Sequence, residues 1–339
     1  MSETVTIALD AMSGDLGAQT AVEAAIRATR KFTDIRVILV GDEAVLSPLL
    51  KSDQSDLIEI CHASEVVTME DPLAQALRGK RDSSMRVAID QVKKGNASAC
   101  VSCGNTGALM AIGRFVLKTI AGVDRPAIIT AIPNVHGHVH MLDLGANVDC
   151  TPDHLHQFAV MGSALASVVD NIDSPRVGLL NIGSEDIKGN EQVKEAGKLL
   201  EASNLKYIGY VEGDAIYMGE VDVVVADGFV GNVSLKTSEG VAKLVKQYLR
   251  EEFTRSPLSK VMGLVASPVL KRLAKRIDPD RYNGASLLGL RGIVIKSHGG
   301  AGVLALENAL KIARLEAKKG LIARIESAIE SQLSKPGDQ

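Results

Sequence analysis

Tryptophan is absent from the 339 residues, and the aromatics together make up 3% of them. The core therefore has to be aliphatic, which fits an α/β protein and not a β-sandwich. Cysteine is scarce, with only Cys61, Cys100, Cys103 and Cys150. That is too thin for a disulfide framework and points to a reducing cytosol. No segment approaches the ~18 consecutive apolar residues of a spanning helix. The start, Met-Ser-Glu-Thr-Val-Thr-Ile-Ala-Leu-Asp, lacks the basic-then-apolar order of an export signal. A net charge of −3 offers no general attraction to nucleic acid or to an anionic bilayer, so no nucleic-acid partner is expected. Any polyanionic partner has to meet a local basic patch.

What the chain has in quantity is small aliphatic residues, 46% hydrophobic overall, and 31 glycines. Short β-branched runs over 4–9, 35–40, 127–132, 138–144, 176–182, 221–226 and 292–296 read as strands. Helical periodicity fills 18–31, 84–94, 106–118, 152–169, 191–202 and 241–252. Such alternation predicts a mostly parallel sheet covered by helices. The pair 127–132 and 138–144, joined by Pro-Asn-Val-His-Gly, reads as a hairpin and makes the sheet mixed. We expect one large domain over 1–333 and a polar tail over 334–339. Within it, 253–277 contains no strand, and Ser267-Pro268 divides it into two short helices. Val269, Leu270, Leu273 and Ile277 fall on one face there and Lys271, Arg272, Lys275 and Arg276 on the rest, an amphipathic basic hairpin to which Lys260 also belongs.

Ligands of open α/β sheets lie beyond the carboxyl ends of strands. Six turns at such ends share a composition rich in Gly, Asn and Asp: Asp10 to Gly17 with Gly14 and Asp15; Ser102 to Gly107 with Asn105 and Thr106; Gly145 to Asp149 with Asn147; Gly183 to Asn190 with Ser184 and Lys188; Asp227 to Asn232; and Ser297 to Gly300 with His298. Small residues admit a ligand to the backbone, and free N–H groups with helix dipoles favour an anion. Caps and turns need the same residues. Six of them at one sheet edge suit phosphate. Lys188, set within a glycine-flanked turn, could pair with it as a point charge.

The segments Ile-Ala-Leu-Asp-Ala-Met-Ser-Gly-Asp, Val-Ser-Cys-Gly-Asn-Thr-Gly-Ala-Leu-Met, Leu-Asp-Leu-Gly-Ala-Asn-Val-Asp, Asn-Ile-Gly-Ser-Glu-Asp-Ile-Lys-Gly-Asn-Glu and Asp-Gly-Phe-Val-Gly-Asn resemble, in order and spacing, the phosphate acyltransferase family of bacterial phospholipid synthesis. Ser13 and Cys103 stand where that family has Gly and Ala, and Gly299-Gly300-Ala301-Gly302 where it has Gly-Ser-Ala-Asp. The resemblance implies a three-layer α/β/α fold with a mostly parallel, mixed sheet, related to isocitrate and isopropylmalate dehydrogenases and to phosphate acetyltransferases. It also implies a homodimer, acyl carrier protein as donor, inorganic phosphate as acceptor, and no cofactor. The protein would be cytoplasmic and in loose contact with the inner face of the membrane or with a membrane-bound glycerol-3-phosphate acyltransferase.

On that reading Lys188 and the Gly183 to Gly189 turn hold phosphate, Asn105 and Asn147 complete the pocket, and Asn232 faces the thioester carbonyl. Asp10, Asp15, Asp149 and Asp227 orient lysines and amides. The hairpin lysines and arginines steer an acidic carrier protein, and its apolar stretch 261–265 lies shallowly in a bilayer. Cys100-Val-Ser-Cys103 has redox or zinc spacing but sits in a buried strand, so inert thiols are expected. Five of seven histidines lie between His136 and His156, on a hairpin and a helix start, and no metal is expected there. Gly300-Ala-Gly302-Val-Leu-Ala305 matches a dinucleotide fingerprint without the later strand and acidic residue that read a ribose. The alternatives are a short-chain acyltransferase using coenzyme A, a decarboxylating dehydrogenase, and a non-catalytic carrier-protein scaffold.

Overall fold

The computed structural model describes residues 4–50, 56–277 and 282–333. In chain order its strands are β1 (Val5–Asp10), β2 (Ile35–Gly41), β3 (Ile58–His62), β4 (Ala99–Ser102), β5 (Ala127–Asn134), β6 (Gly137–Leu142), β7 (Arg176–Leu180), β8 (Lys206–Val211), β9 (Val223–Val225), β10 (Ala285–Leu288) and β11 (Ile293–Lys296). All belong to one sheet, ordered β3-β2-β1-β4-β11-β10-β5-β6-β9-β7-β8. The β5/β6 hairpin closes on Asn134 opposite Gly137, as the sequence led us to expect.

The helices are α1 (Gly17–Lys31), α2 (Glu43–Leu46), α3 (Ser84–Lys93), α4 (Thr106–Leu117), α5 (Pro152–Asp170), α6 (Glu191–Glu201), α7 (Ala215–Met218), α8 (Gly228–Thr254), α9 (Pro257–Ile277), α10 (Val303–Lys318) and α11 (Leu321–Leu333). On one face α1 and α10 pack against β1, β2, β4 and β11 through Ala21, Ala24, Ala25, Ala28, Ala305, Ala309 and Ala313. Methyl side chains let two helices and a sheet approach closely, which explains an alanine-rich core. On the same face α5, α6 and α11 cover β5, β6, β9 and β7. The opposite face carries α3, α4 and α7. Three layers result.

Strand direction divides the sheet into two blocks. β1, β2, β3, β4 and β11 are mutually parallel; β6, β7, β8 and β9 are parallel to one another but run the other way, because β5 pairs antiparallel with β6. Registers place Leu9, Val101, Ile295, Ser286, Ile129, Leu142, Val225 and Leu179 on one line across the sheet. β1, β4 and β11 end one residue past that line, at Asp10, Ser102 and Lys296; β6 and β9 end on it. The six glycine-rich turns therefore do not share a sheet edge. Three leave the line in one direction and three in the other, since the hairpin reverses the polarity of every parallel strand packed beyond it.

A second departure concerns 253–277. Pro268 lies inside α9, which runs unbroken, and the hairpin is formed by α8 and α9 turning at 255–256. A proline removes one intrahelical hydrogen bond and crowds the preceding turn, and here packing against α8 holds the helix across it. Phe253 of α8 fits over Gly263, where a Cβ would come within 3.1 Å of its ring. The side chains of Lys275 and Ile277, and the tail 334–339, lie outside the described residues.

One buried carboxyl costs the fold stability at neutral pH. Glu316 of α10 is 2% exposed, and burial raises its pKa from 4.5 to about 7 against a single hydrogen bond from the Ser286 hydroxyl. A raised acid pKa leaves stability intact below the unfolded value and removes it as pH climbs through the folded one. Glu316→Gln keeps an acceptor for Ser286 without a charge. It should stabilise the protein by about 2–3 kcal/mol at pH 8 and hardly at all at pH 4. Urea unfolding at the two pH values measures this.

Candidate active site

Beyond β1, β4 and β11 three turns touch. The buried Asp10 carboxylate accepts from Ser102 Oγ at 2.6 Å and from the backbone N–H groups of Met12 and Ser13 at 3.3 Å. Asp15 is exposed, and its N–H donates to the Gly299 carbonyl at 2.8 Å. Gly14 has φ +101°, and a Cβ there would stand 2.8 Å from the Cys103 Cβ and 3.1 Å from the Gly299 oxygen, so only glycine fits where the turns meet. Asn105 caps α4, accepting from Ala108 N–H at 3.0 Å, and its Nδ2 donates to the Met69 carbonyl at 2.8 Å. Thr106 opens the helix. His298 is exposed; its Nδ1 accepts from Gly300 N–H at 3.1 Å, and its own N–H donates to Asn283 Oδ1. The N-termini of α1, α4 and α10 follow these turns directly, three dipoles that favour an anion.

Lys296 ends β11 at this meeting point. Its Nζ donates to the carbonyls of Cys103, at 3.4 Å, and Ser297. Burial pushes its pKa down; Asp15 and Asp10 oppose the shift, and the charge of Lys236 on α8 adds to it. Lys236 itself pairs with Glu239 at 2.9 Å, and a half-buried ammonium such as Lys296 gains from binding an anion. Neither lysine was singled out in the sequence. The available signal was a cation ending a β-branched run, Ile293-Val-Ile-Lys296, just before Ser-His-Gly-Gly.

The turns leaving the other way are built on Asp143, also missed. It is fully buried beside Leu142, and its carboxylate accepts from Ile128 N–H at 3.0 Å, Ala146 N–H at 3.2 Å, and Asn147 N–H and Nδ2 at 2.7 and 2.8 Å. Burial still raises its pKa. Asn147 spends its Nδ2 on Asp143 and on the Pro126 carbonyl, so its amide serves the loop and not a phosphate pocket. Asp227 is the N-cap of α8, accepting from Phe229 and Val230 N–H groups at 2.9 and 3.0 Å. Asn232 donates to the Leu144 carbonyl at 3.0 Å.

Further along, Gly183 is buried while Ser184 and Lys188 are exposed; Lys188 N–H donates to Glu185 O at 3.0 Å and its carbonyl accepts from Asn181. Asp149 is exposed. Lys188 and Asn105 therefore sit in turns that leave the sheet in opposite directions. The first turns of α8 touch the second group, where Asn232 meets Leu144, and one turn later the charge of Lys236 is felt at Lys296 in the first.

Cys100 and Cys103 are buried free thiols, and burial raises the first and pushes the second up to about 11. His154 is accounted for by a reciprocal cap with Thr151 at the start of α5. After the Gly300 to Gly302 turn, α10 and α11 follow among the described residues. On the hairpin Lys260, Lys271, Arg272 and Arg276 are exposed, beside Val261, Leu264 and Val265, which are 59–77% exposed.

The model of the family described as "Fatty acid synthesis protein" matches residues 5–324. The phosphate acyltransferase of Nitrosococcus oceani is 56% identical over 334 residues, 98% of each chain. That of Methylococcus capsulatus is 57% identical over 323 residues, 94% of this chain and 95% of its own. This chain belongs to the phosphate acyltransferase family. It is therefore an enzyme, and the family places its transferase activity in lipid synthesis. Among solved structures, a phosphotransacetylase from Streptococcus pyogenes superposes with TM-score 0.63 at 18% identity, over 93% of this chain and 94% of its own, a likeness of fold. No described helix is long and apolar enough to cross a membrane.

Proposed function

We propose that the enzyme moves a long-chain acyl group reversibly from the thioester of acyl carrier protein to inorganic phosphate, in phospholipid synthesis. The observation that carries the reading is Lys296, half-buried among three helix N-termini with Lys236 nearby. Phosphate is an anion at neutral pH and needs placement more than activation. One of its oxygens forms a bond to the thioester carbonyl carbon, the C–S bond breaks, and sulfur leaves as a thiolate that solvent reprotonates. A thiol leaves readily, so no strong acid is required. Lys296 and Lys236 hold phosphate, and Asn232 faces the developing oxyanion. This reading gives the phosphate role to Lys296 in place of Lys188, an exposed cation near the other turns.

The α8/α9 hairpin supports a protein donor. Its exposed lysines and arginines complement an acidic carrier protein, and its exposed apolar side chains suit a second copy of the chain and a shallow seat on the inner membrane face, where a glycerol-3-phosphate acyltransferase would take the product. Thiol release from long-chain acyl carrier protein, with and without phosphate and beside the matching acyl coenzyme A, tests this. Phosphate-dependent release from the carrier protein, at least tenfold above coenzyme A, is expected. Release from coenzyme A alone would overturn the donor, and release from neither would overturn the reaction.

A further inference from the structure

The carbonyl-rich C-terminal end of a helix is a poor place for a negative charge. Asp170 is the last residue of α5, whose final turn holds no basic side chain, and it is followed by Asn171 in the left-handed C-cap at φ +57°. Lys319 reaches this helix end but donates to the Val168 and Val169 carbonyls, at 2.7 and 3.3 Å, and to Asn171 Oδ1 at 2.8 Å. Among the described residues no lysine or arginine pairs with Asp170. Two imidazoles do. His140 Nε2 lies 2.6 Å from Oδ2, and His138 Nε2 lies 3.1 and 3.2 Å from the two oxygens. The two-residue strand repeat puts both rings on one side of β6, edge to face with centroids 4.9 Å apart.

We propose that His138, His140 and Asp170 form a site for a divalent transition metal, zinc by preference, that ties β6 to the end of α5. One ligand atom from each residue lies within 4.8 Å of the others. Two imidazole nitrogens and a carboxylate oxygen are a donor set zinc accepts, with bonds of about 2.0–2.2 Å and a fourth tetrahedral position for water. Separations of 2.6–3.2 Å between His nitrogens and Asp oxygens need to open only slightly to admit it. His140 is 7% exposed and fixed by the core, while His138, at 32%, leaves an entry from solvent. The ion would give Asp170 the cationic partner that no lysine or arginine among the described residues provides. Three residues after His140 the same chain reaches Asp143, so the ion braces the segment on which the second group of turns is built. The expectation of no metal rested on histidines spread over a hairpin and a helix start. Asp170, thirty residues after His140, returns to meet two of them.

The test uses the full chain stripped with a chelator and titrated with Zn2+ or Co2+. One ion per chain, a raised melting temperature, and visible d–d bands of four-coordinate Co2+ without intense thiolate-to-metal bands are expected. His138→Asn and Asp170→Asn should each weaken binding by at least roughly 100-fold while the metal-free proteins keep their circular dichroism. If one variant fails to fold, the other decides. No stoichiometric binding, binding undiminished in the folded variant, or thiolate bands showing that cysteines hold the ion would overturn the site.

Discussion

Lys296→Met should lower phosphate-dependent turnover by about 100-fold or more, with the larger part of the loss in the KM for phosphate. Methionine keeps the apolar stem and removes the charge with its donors, so the circular dichroism spectrum and melting temperature should stay close to those of the parent. The Nζ contacts two backbone carbonyls that lose a donor, a small cost beside the loss of a cation for a bound dianion. Lys188→Ala, at an exposed side chain in a turn that leaves the sheet the other way, should change phosphate KM by less than about fivefold. The opposite ranking in steady-state kinetics would return phosphate to the Lys188 turn. Because burial lowers the Lys296 pKa, phosphate affinity should also fall at a lower alkaline pH than an exposed lysine would allow, and Lys296→Arg should move that limb upward.

Asp143→Ala should destabilise the fold by about 4 kcal/mol and remove activity with it. One carboxylate there satisfies three backbone N–H groups and one amide, all inside the protein, and each buried donor left without an acceptor costs about 1–3 kcal/mol. Asp143→Asn should fare little better, since an amide nitrogen placed where donors converge meets them donor to donor. The desolvation of the carboxylate, visible in its raised pKa, offsets part of the loss and keeps the figure below a simple sum. Urea unfolding monitored by circular dichroism gives the number. A loss under about 1 kcal/mol would mean that water or a neighbouring carbonyl takes over the four donors.

Strands with β-branched runs covered on both faces, such as β1, β2 and β11, were legible because their composition answers directly to burial. β3, β8 and β10 were not. β3 and β8 are half-exposed edge strands carrying Glu59, His62, Lys206 and Gly209, and β10 is four residues, Ala-Ser-Leu-Leu, with no β-branched side chain. The true start of α8 was hidden by two glycines, a composition that suggests a turn. Both are demanded by contact: a Cβ at Gly231 would lie 1.9 Å from the Asp143 carbonyl oxygen, and one at Gly228 2.6 Å from that of Asn147. In the candidate site the small residues of the turns could be read, but not their direction. Direction follows from the β5/β6 hairpin, and its effect on every parallel neighbour is a property of the sheet and not of any local segment. Lys236 and Asp143 escaped for a similar reason, since each acquires its role only from partners distant in the chain.

The last two described strands occupy the middle of the sheet: β11 pairs with β4, and β10 with β5. While the polypeptide emerges from the ribosome, everything up to residue 284 can be present with two open inner edges, Ala99–Ser102 and Ala127–Asn134, facing a gap that nothing upstream can close. Such edges are templates for wrong pairing between nascent chains. A transcript cut short before β10 would therefore yield not a slightly shorter protein but two half-sheets without a seam, and the interval before β10 and β11 emerge is the one in which this chain most needs protection from its own copies.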